Sequence, residues 1–255
     1  MLIIGSFMNS ISKHAPFLSI VLPAHNEEAR LPDALAQIDA FLNQQTYPYE
    51  VLIIEIASSD ATLAIAQKFA EGHDYVQVTH DDQPGKGRAV QKGILAARGD
   101  FRFVCDVDFS MPVSEISAFL PPSQTQYEIA IASREAKGAV RYGEPLYRHL
   151  VGRVFNLLVR FLTLPELNDT QCGFKCFTAQ AAETLFPKMT ITGWTFDVEI
   201  LAIARQMGYR IIEVPIPWYY HEHSKIHVVR DSVKMAMDLL VIRGNVRRGV
   251  YVRPH

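Results

Sequence analysis

Residues 101–108 read Phe-Arg-Phe-Val-Cys-Asp-Val-Asp, an apolar run that ends in two aspartates spaced i and i+2. An apolar run of this length reads as a buried strand, and Asp106 and Asp108 then stand at its carboxyl end. Working outward, the same pattern recurs. Residues 17–22 (FLSIVL), 51–56 (VLIIEI), 76–79 and 127–132 (YEIAIA) are further strands. Between them, Leu31, Leu35, Ile38 and Leu42 fall on one helical face, with Asn26 expected as the cap. A second helix is expected over about 61–70. A third opens at Pro84-Gly85-Lys86-Gly87 and ends at Gly99. Strands alternating with helices over the first 133 residues predict a Rossmann-like, mostly parallel sheet with helices on both faces. In such sheets ligands bind at the carboxyl ends of the strands, where the polar clusters lie.

The second half carries a helical pattern at 146–162, a polar stretch at Asn168-Asp169-Thr170-Gln171, and a helix over about 195–207. A strand at 210–214 and an amphipathic helix over 228–242 follow.

Composition narrows the function. Hydrophobic residues make up 49% and charged residues 20% of the 255, ordinary for a chain with a substantial core. A net charge of −2 excludes a general nucleic-acid binder. Cys105, Cys172 and Cys176 are too few and too poorly spaced for a disulfide scaffold or a zinc site. No stretch reaches the roughly 20 apolar residues that span a bilayer. The expectation is therefore a cytoplasmic protein, or a peripheral one on the cytoplasmic face of a membrane. From Lys225 onward seven Lys or Arg face two Asp, so the C-terminal segment is basic in a slightly acidic chain. That asymmetry suits an acidic partner, and 228–248 fits a helix lying in a membrane surface as well as one packed on the domain.

The chemistry-bearing residues follow from position. Asp106 and Asp108 supply hard oxygens for a divalent cation that would neutralise a departing diphosphate. Lys86, between two glycines at a helix start, suits a phosphate, although the spacing is not that of a P-loop. Glu27, Glu28, Glu55 and Asp60 cluster at the ends of the first two strands, where carboxylates can bond a base or ribose.

In combination these stretches resemble family 2 glycosyltransferases, in particular the branch of dolichyl-phosphate glucosyl- and mannosyltransferases. The matching motifs are SIVLPAHNEE (19–28), SSDAT (58–62), GKGRAVQKG (85–93), DVD (106–108), DTQCGFKCF (169–177), WTFDVEIL (194–201), EVPIPW (213–218) and Ser224-Lys225. The family pattern often has two acids after its second strand where this chain has Glu55-Ile56. The resemblance implies a GT-A type fold over 17–225, with an N-terminal extension 1–16 and a basic C-terminal segment 226–255. It implies inverting transfer of glucose or mannose from UDP-glucose or GDP-mannose to a polyprenyl phosphate, with Mg²⁺ or Mn²⁺. Pro23, Ala24, Asn26, Glu27, Glu55 and Asp60 would line the nucleotide pocket with Lys86 beside it. Asp106 and Asp108 would hold the diphosphate through the metal. Arg134, Arg148 and Lys225 would meet phosphate, and Asp169, Gln171, Trp194 and Asp197 would face the sugar. Were the acceptor a hydroxyl, Asp197 or Asp169 would act as base. A nucleotidyltransferase is disfavoured because PAHNEE is not a glycine-rich loop. A non-catalytic sugar-nucleotide binder is disfavoured by the intact aspartate pair.

Overall fold

The computed structural model describes residues 15–221 and 228–252. Its centre is a seven-stranded sheet, and the inner strands are buried on both faces, with successive residues entering two different cores. In β1 (Leu18–Ala24) and β2 (Tyr49–Ile56), Leu18, Ile20, Leu22, Val51 and Ile53 enter one core. Val21, Leu52 and Ile54 enter the other, as the period of two requires. The first core is covered by α1 (Leu31–Leu42) and by α2 (Thr62–Glu71). The second is covered by α3 (Lys86–Ala96) and by several elements of the second half.

After β3 (Val76–Asp81) and β4 (Phe101–Val104) come β5 (Ile129–Ser133), the short β6 (Val140–Tyr142) and α4 (Leu146–Leu162). Then follow β7 (Lys175–Thr178), α5 (Ala179–Leu185), α6 (Phe196–Gln206), β8 (Ile211–Pro215), β9 (Pro217–Tyr219) and α7 (Val228–Arg247). The sheet order is β3-β2-β1-β4-β7-β5-β8. All neighbours are parallel except β7, which runs antiparallel to both β4 and β5. β6 and β9 form a separate parallel pair.

The sequence pattern missed β7, because a four-residue strand inside a polar motif has no clear period. Two other expectations change. Asn26 does not cap α1. It sits in the left-handed region at φ 52° and its Oδ1 accepts the Ser59 amide at 2.8 Å. Gly99 is not the stop of α3, which ends at Ala96. A Cβ at Gly99 would lie 2.6 Å from Ser19 Oγ, so glycine there lets β1 pass.

The C-terminal helix packs on the domain. Leu239 and Ile242 are buried among the α6 side chains, and Asp238 accepts from Thr195 Oγ1 at 2.8 Å. Tyr251 is 1% exposed and donates to Glu199 Oε1 at 2.9 Å. Among the described residues no helix is long and apolar enough to cross a membrane.

Candidate active site

The carboxyl ends of β1, β4 and β5 open into a cavity of about 490 Å³. Its floor begins where β4 stops. Asp106 and Asp108 turn into the cavity while Val107 between them is buried. Asp108 Oδ1 accepts the Ser110 amide at 3.1 Å. Lys86 Nζ, from the first residue of α3, lies 2.7 Å from Asp106 Oδ1 and 5.4 Å from the Trp194 ring centroid. Burial disfavours the charged lysine, but Asp106 and Asp197 more than reverse this and push Lys86 up to about 12.

The glycines beside Lys86 make room for a neighbouring loop. A Cβ on Gly85, at φ 140°, would come within 2.6 Å of Thr192 O, and one on Gly87 within 2.6 Å of Phe196 Cβ. Arg88 N donates to Thr192 O at 3.2 Å. The glycines therefore admit the 190–194 loop, which sets Trp194 over Lys86. Buried Glu199 ties that loop down by accepting from Ile191 N at 2.7 Å and Thr190 N at 2.9 Å.

On the far wall, Arg134 grips Asp169 with Nε–Oδ2 at 2.7 Å and Nη2–Oδ1 at 2.9 Å. Burial raises the Asp169 carboxyl, yet the guanidinium holds it below the usual range. Two residues expected to meet different parts of the substrate are thus each other's partner. The Asp169 loop is anchored by Glu213, which accepts from Asn168 N and Asp169 N at 3.1 and 3.0 Å. Arg148 stacks on Tyr220 at 5.3 Å and, among the described residues, pairs with no carboxylate. Arg141 and Arg153 complete the wall, both held by Glu135.

Asp197 lies in the first turn of α6, 7% exposed, with Lys175 Nζ at 2.7 Å from Oδ1. Burial pushes its carboxyl up, opposed by Lys175 and Lys86. Lys175, Glu199 and Gly173 carry much of this geometry. Sequence reasoning assigned them no role, because Lys175 and Gly173 are placed by β7 and the loop before it, and Glu199 by its bonds to the 190–191 segment and Tyr251. A Cβ on Gly173 would fall 2.2 Å from Asp106 Oδ2.

Of the other expected residues, Pro23, Ala24, Glu27, Gln171 and Trp194 line the cavity. Asn26, Glu55 and Asp60 do not. Glu55 is fully buried, accepting from Ser58 N at 2.8 Å and bonded to His80. Asp60 accepts from Glu28 N at 3.2 Å and Thr62 N at 3.0 Å, zipping the 26–28 loop to the 58–62 loop. Lys225 lies outside the described residues.

A mostly parallel sheet with polar side chains gathered at its carboxyl edge is the architecture of a GT-A glycosyltransferase. The model of the family described as glycosyl transferase family 2 matches residues 19–186, and the chain belongs to that family. The chain is 34% identical over 241 residues to the dolichyl-phosphate beta-glucosyltransferase of Homo sapiens, covering 89% of this chain and 74% of that protein. It is 30% identical over 249 residues to the protein of that name from Dictyostelium discoideum, covering 92% and 76%. Among solved structures it resembles glucosyl-3-phosphoglycerate synthase from Mycobacterium tuberculosis. With UDP bound, that enzyme aligns at TM-score 0.64 and 18% identity, covering 94% of this chain and 82% of that one. Its complex with Mn²⁺, UDP-glucose and glycerol 3-phosphate aligns at 0.63 and 18%, covering 89% and 80%.

Proposed function

We propose that this glycosyltransferase moves glucose from UDP-glucose to a polyprenyl phosphate of the dolichyl type, with inversion at the sugar C1. The observation that carries the reading is the two-sided cavity. One side gathers Asp106, Asp108 and Lys86, the other Arg134, Arg141, Arg148 and Arg153. The first side suits a donor diphosphate and the second an acceptor phosphate. The relatives' shared name, dolichyl-phosphate beta-glucosyltransferase, favours glucose over mannose.

Asp106 and Asp108 fit a divalent cation by their chemistry, being half-buried carboxylates that both face the cavity. Among the described residues no third His, Cys, Asp or Glu joins them, so substrate oxygens and water would complete the shell. Bound there, Mg²⁺ or Mn²⁺ supplies charge neutralisation for the departing diphosphate. The protein's own part is positioning. Arg148 presents a guanidinium to the acceptor phosphate, which is already anionic at neutral pH and needs no strong base. Trp194 and Gln171 border the space for the sugar. Asp169 is held at both oxygens by Arg134 and Asp197 is paired with buried Lys175; Asp197, close to Lys86 and Asp106, is the carboxylate assigned to the reacting centre.

The mouth of the cavity also fits a lipid. Tyr147, Val151 and Phe155 of α4 line it. From there Leu146, Leu150, Val154, Leu157 and Phe161 form one outward face, with Leu146 87% and Phe161 80% exposed. On α7, which packs beside α4, Val233, Met237, Leu240 and Val241 are also exposed. A contiguous apolar face of this kind, bordered by Arg153, Arg160 and Lys234, suits the surface of an anionic membrane. The expected membrane contact through 228–248 is thus joined by a larger one on α4.

The test is turnover of UDP-glucose and GDP-mannose with Mg²⁺ or Mn²⁺, with and without a short polyprenyl phosphate. The expected result is UDP-glucose consumption that requires the lipid phosphate and stops on chelation. Consumption that instead follows a hydroxyl acceptor sinks the lipid-phosphate reading and makes Asp197 the base.

A further inference from the structure

Lys175 has no part in the reaction described so far, and its surroundings are unusual for a lysine. It opens β7, the one antiparallel strand of the sheet, where it pairs with Val104 of β4 and Ile131 of β5. Its side chain points to the α6 side, is 2% exposed, and ends between two acceptors. Nζ lies 2.7 Å from Asp197 Oδ1 and donates to Cys172 O at 2.5 Å. A fully buried ammonium is strongly penalised unless it is paired and hydrogen-bonded, and both conditions are met here.

The position matters because of what lies above it. The backbone carbonyl that Lys175 holds belongs to Cys172, next to the glycine that packs against Asp106. The carboxylate it holds is Asp197, which lines the cavity and sits close enough to Lys86 and Asp106 for each to act on it electrostatically. Lys175 thus links, from inside the sheet, the 172–173 loop and the first turn of α6, which both border the cavity. We propose that Lys175 is a positioning residue of the transfer centre, fixing the Asp197 carboxylate and the 172–173 backbone in the geometry the reacting sugar requires. It touches no substrate itself. This inference rests on the reading of the cavity as the transfer site.

A lysine that only neutralises a buried charge would affect folding and not turnover, so the experiment separates the two. Kinetics are measured with UDP-glucose and a short polyprenyl phosphate on the full chain as wild type, Lys175→Met, Lys175→Arg, Asp197→Asn and the Lys175→Met/Asp197→Asn double variant. Lys175→Met is expected to lower kcat about 100-fold, the cost of a small misplacement. The KM for UDP-glucose should stay within about threefold, because donor binding is not its task. Lys175→Arg, which keeps the charge, should recover most of the loss. The double variant should lose clearly less than the product of the two single losses, since the part of the Lys175 effect that runs through Asp197 is already gone and only its hold on the Cys172 carbonyl remains.

Losses that multiply in the double variant overturn the inference. So does a folded Lys175→Met protein with wild-type kcat. Lys175→Met strands one buried charge and can fail to fold. The double variant removes both charges, and its comparison with Asp197→Asn then decides alone. The underlying reading fails separately: wild-type protein that consumes no UDP-glucose with the lipid phosphate refutes the transfer reaction, whatever the Lys175 variants do.

Discussion

The two ends of the sheet treat buried charge in opposite ways. At the amino end, Glu50 is 2% exposed and every oxygen is matched. Oε1 accepts from Ser19 Oγ and Arg98 N, each at 2.7 Å, and Oε2 takes Arg98 Nη2 at 2.7 Å. Gly99 N donates to the same Ser19 oxygen at 2.8 Å. At the carboxyl end, among the described residues, Asp108 has no ion pair and Arg148 pairs with no carboxylate, and the arrangement opens into a cavity. The closed end holds strands together. The open end keeps unmatched charge where a ligand can use it, and that is the mark of a site rather than a bolt.

The largest break in this contrast is Asp108→Ala. Apart from its bond to the Ser110 amide, Asp108 holds nothing together, so its loss should leave the melting temperature within about 2 °C. Turnover should fall about 1000-fold, as when a principal electrostatic contact to developing charge is removed. Matched melting curves and initial rates check both halves. Activity within tenfold of wild type would show that the open end is not the reacting site.

The counterpart at the closed end is Glu50→Ala. It leaves Arg98 and the Ser19 hydroxyl without their acceptor. A stability loss of about 3 kcal/mol is expected, the lower end of the range for breaking such a pair because Arg98 is half exposed. Urea denaturation measures it. The folded fraction should retain the wild-type KM for donor, and a changed KM would mean that the two ends are coupled.

Legibility in the sequence followed the same division. The parallel strands, α1 to α3, α4 and α6 were readable because each is one apolar period bounded by Pro, Gly or polar residues. The aspartate pair and Lys86 were readable because their positions follow from those strands. The antiparallel β7 was not, since only three residues of DTQCGFKCF pair in the sheet. With it went the role of Lys175, which depends on which face of an unseen strand it occupies. The sequence could not show that Gly85 and Gly87 pack against residues 191–196, a hundred positions later. Asn26, Glu55 and Asp60 stand near the expected pocket in sequence, yet their side chains bond neighbouring loops. Carboxylates at strand ends read alike whether they hold a loop or a ligand.

A smaller effect tests the floor of the open end. Gly173→Ala places a methyl group 2.2 Å from Asp106 Oδ2, so the aspartate or the loop must shift. A kcat loss of about 100-fold is expected from displacement of this size. The melting temperature should drop less than in Glu50→Ala. Full activity in a well-folded Gly173→Ala protein would show that Asp106 tolerates movement, and that the tight packing of the floor serves stability instead.

The smallest effect extends the contrast beyond the sheet. The outer face of α4 carries Leu157 at 58% and Phe161 at 80% exposure, so Leu157→Ser/Phe161→Ser removes no packing from the core and should leave the melting temperature unchanged. If this face lies in the membrane surface, each side chain adds part of the 1.5–3 kcal/mol that full burial of such a group gives. Partial insertion of two of them corresponds to roughly tenfold weaker binding to anionic vesicles. The apparent KM for a long polyprenyl phosphate in those vesicles should rise by a similar factor. Turnover with a short, water-soluble acceptor should not move, because that acceptor reaches Arg148 without the surface. A parallel loss with both acceptors would place α4 among the elements that shape the cavity. A loss confined to vesicles would assign its exposed stripe to the lipid and separate docking from transfer.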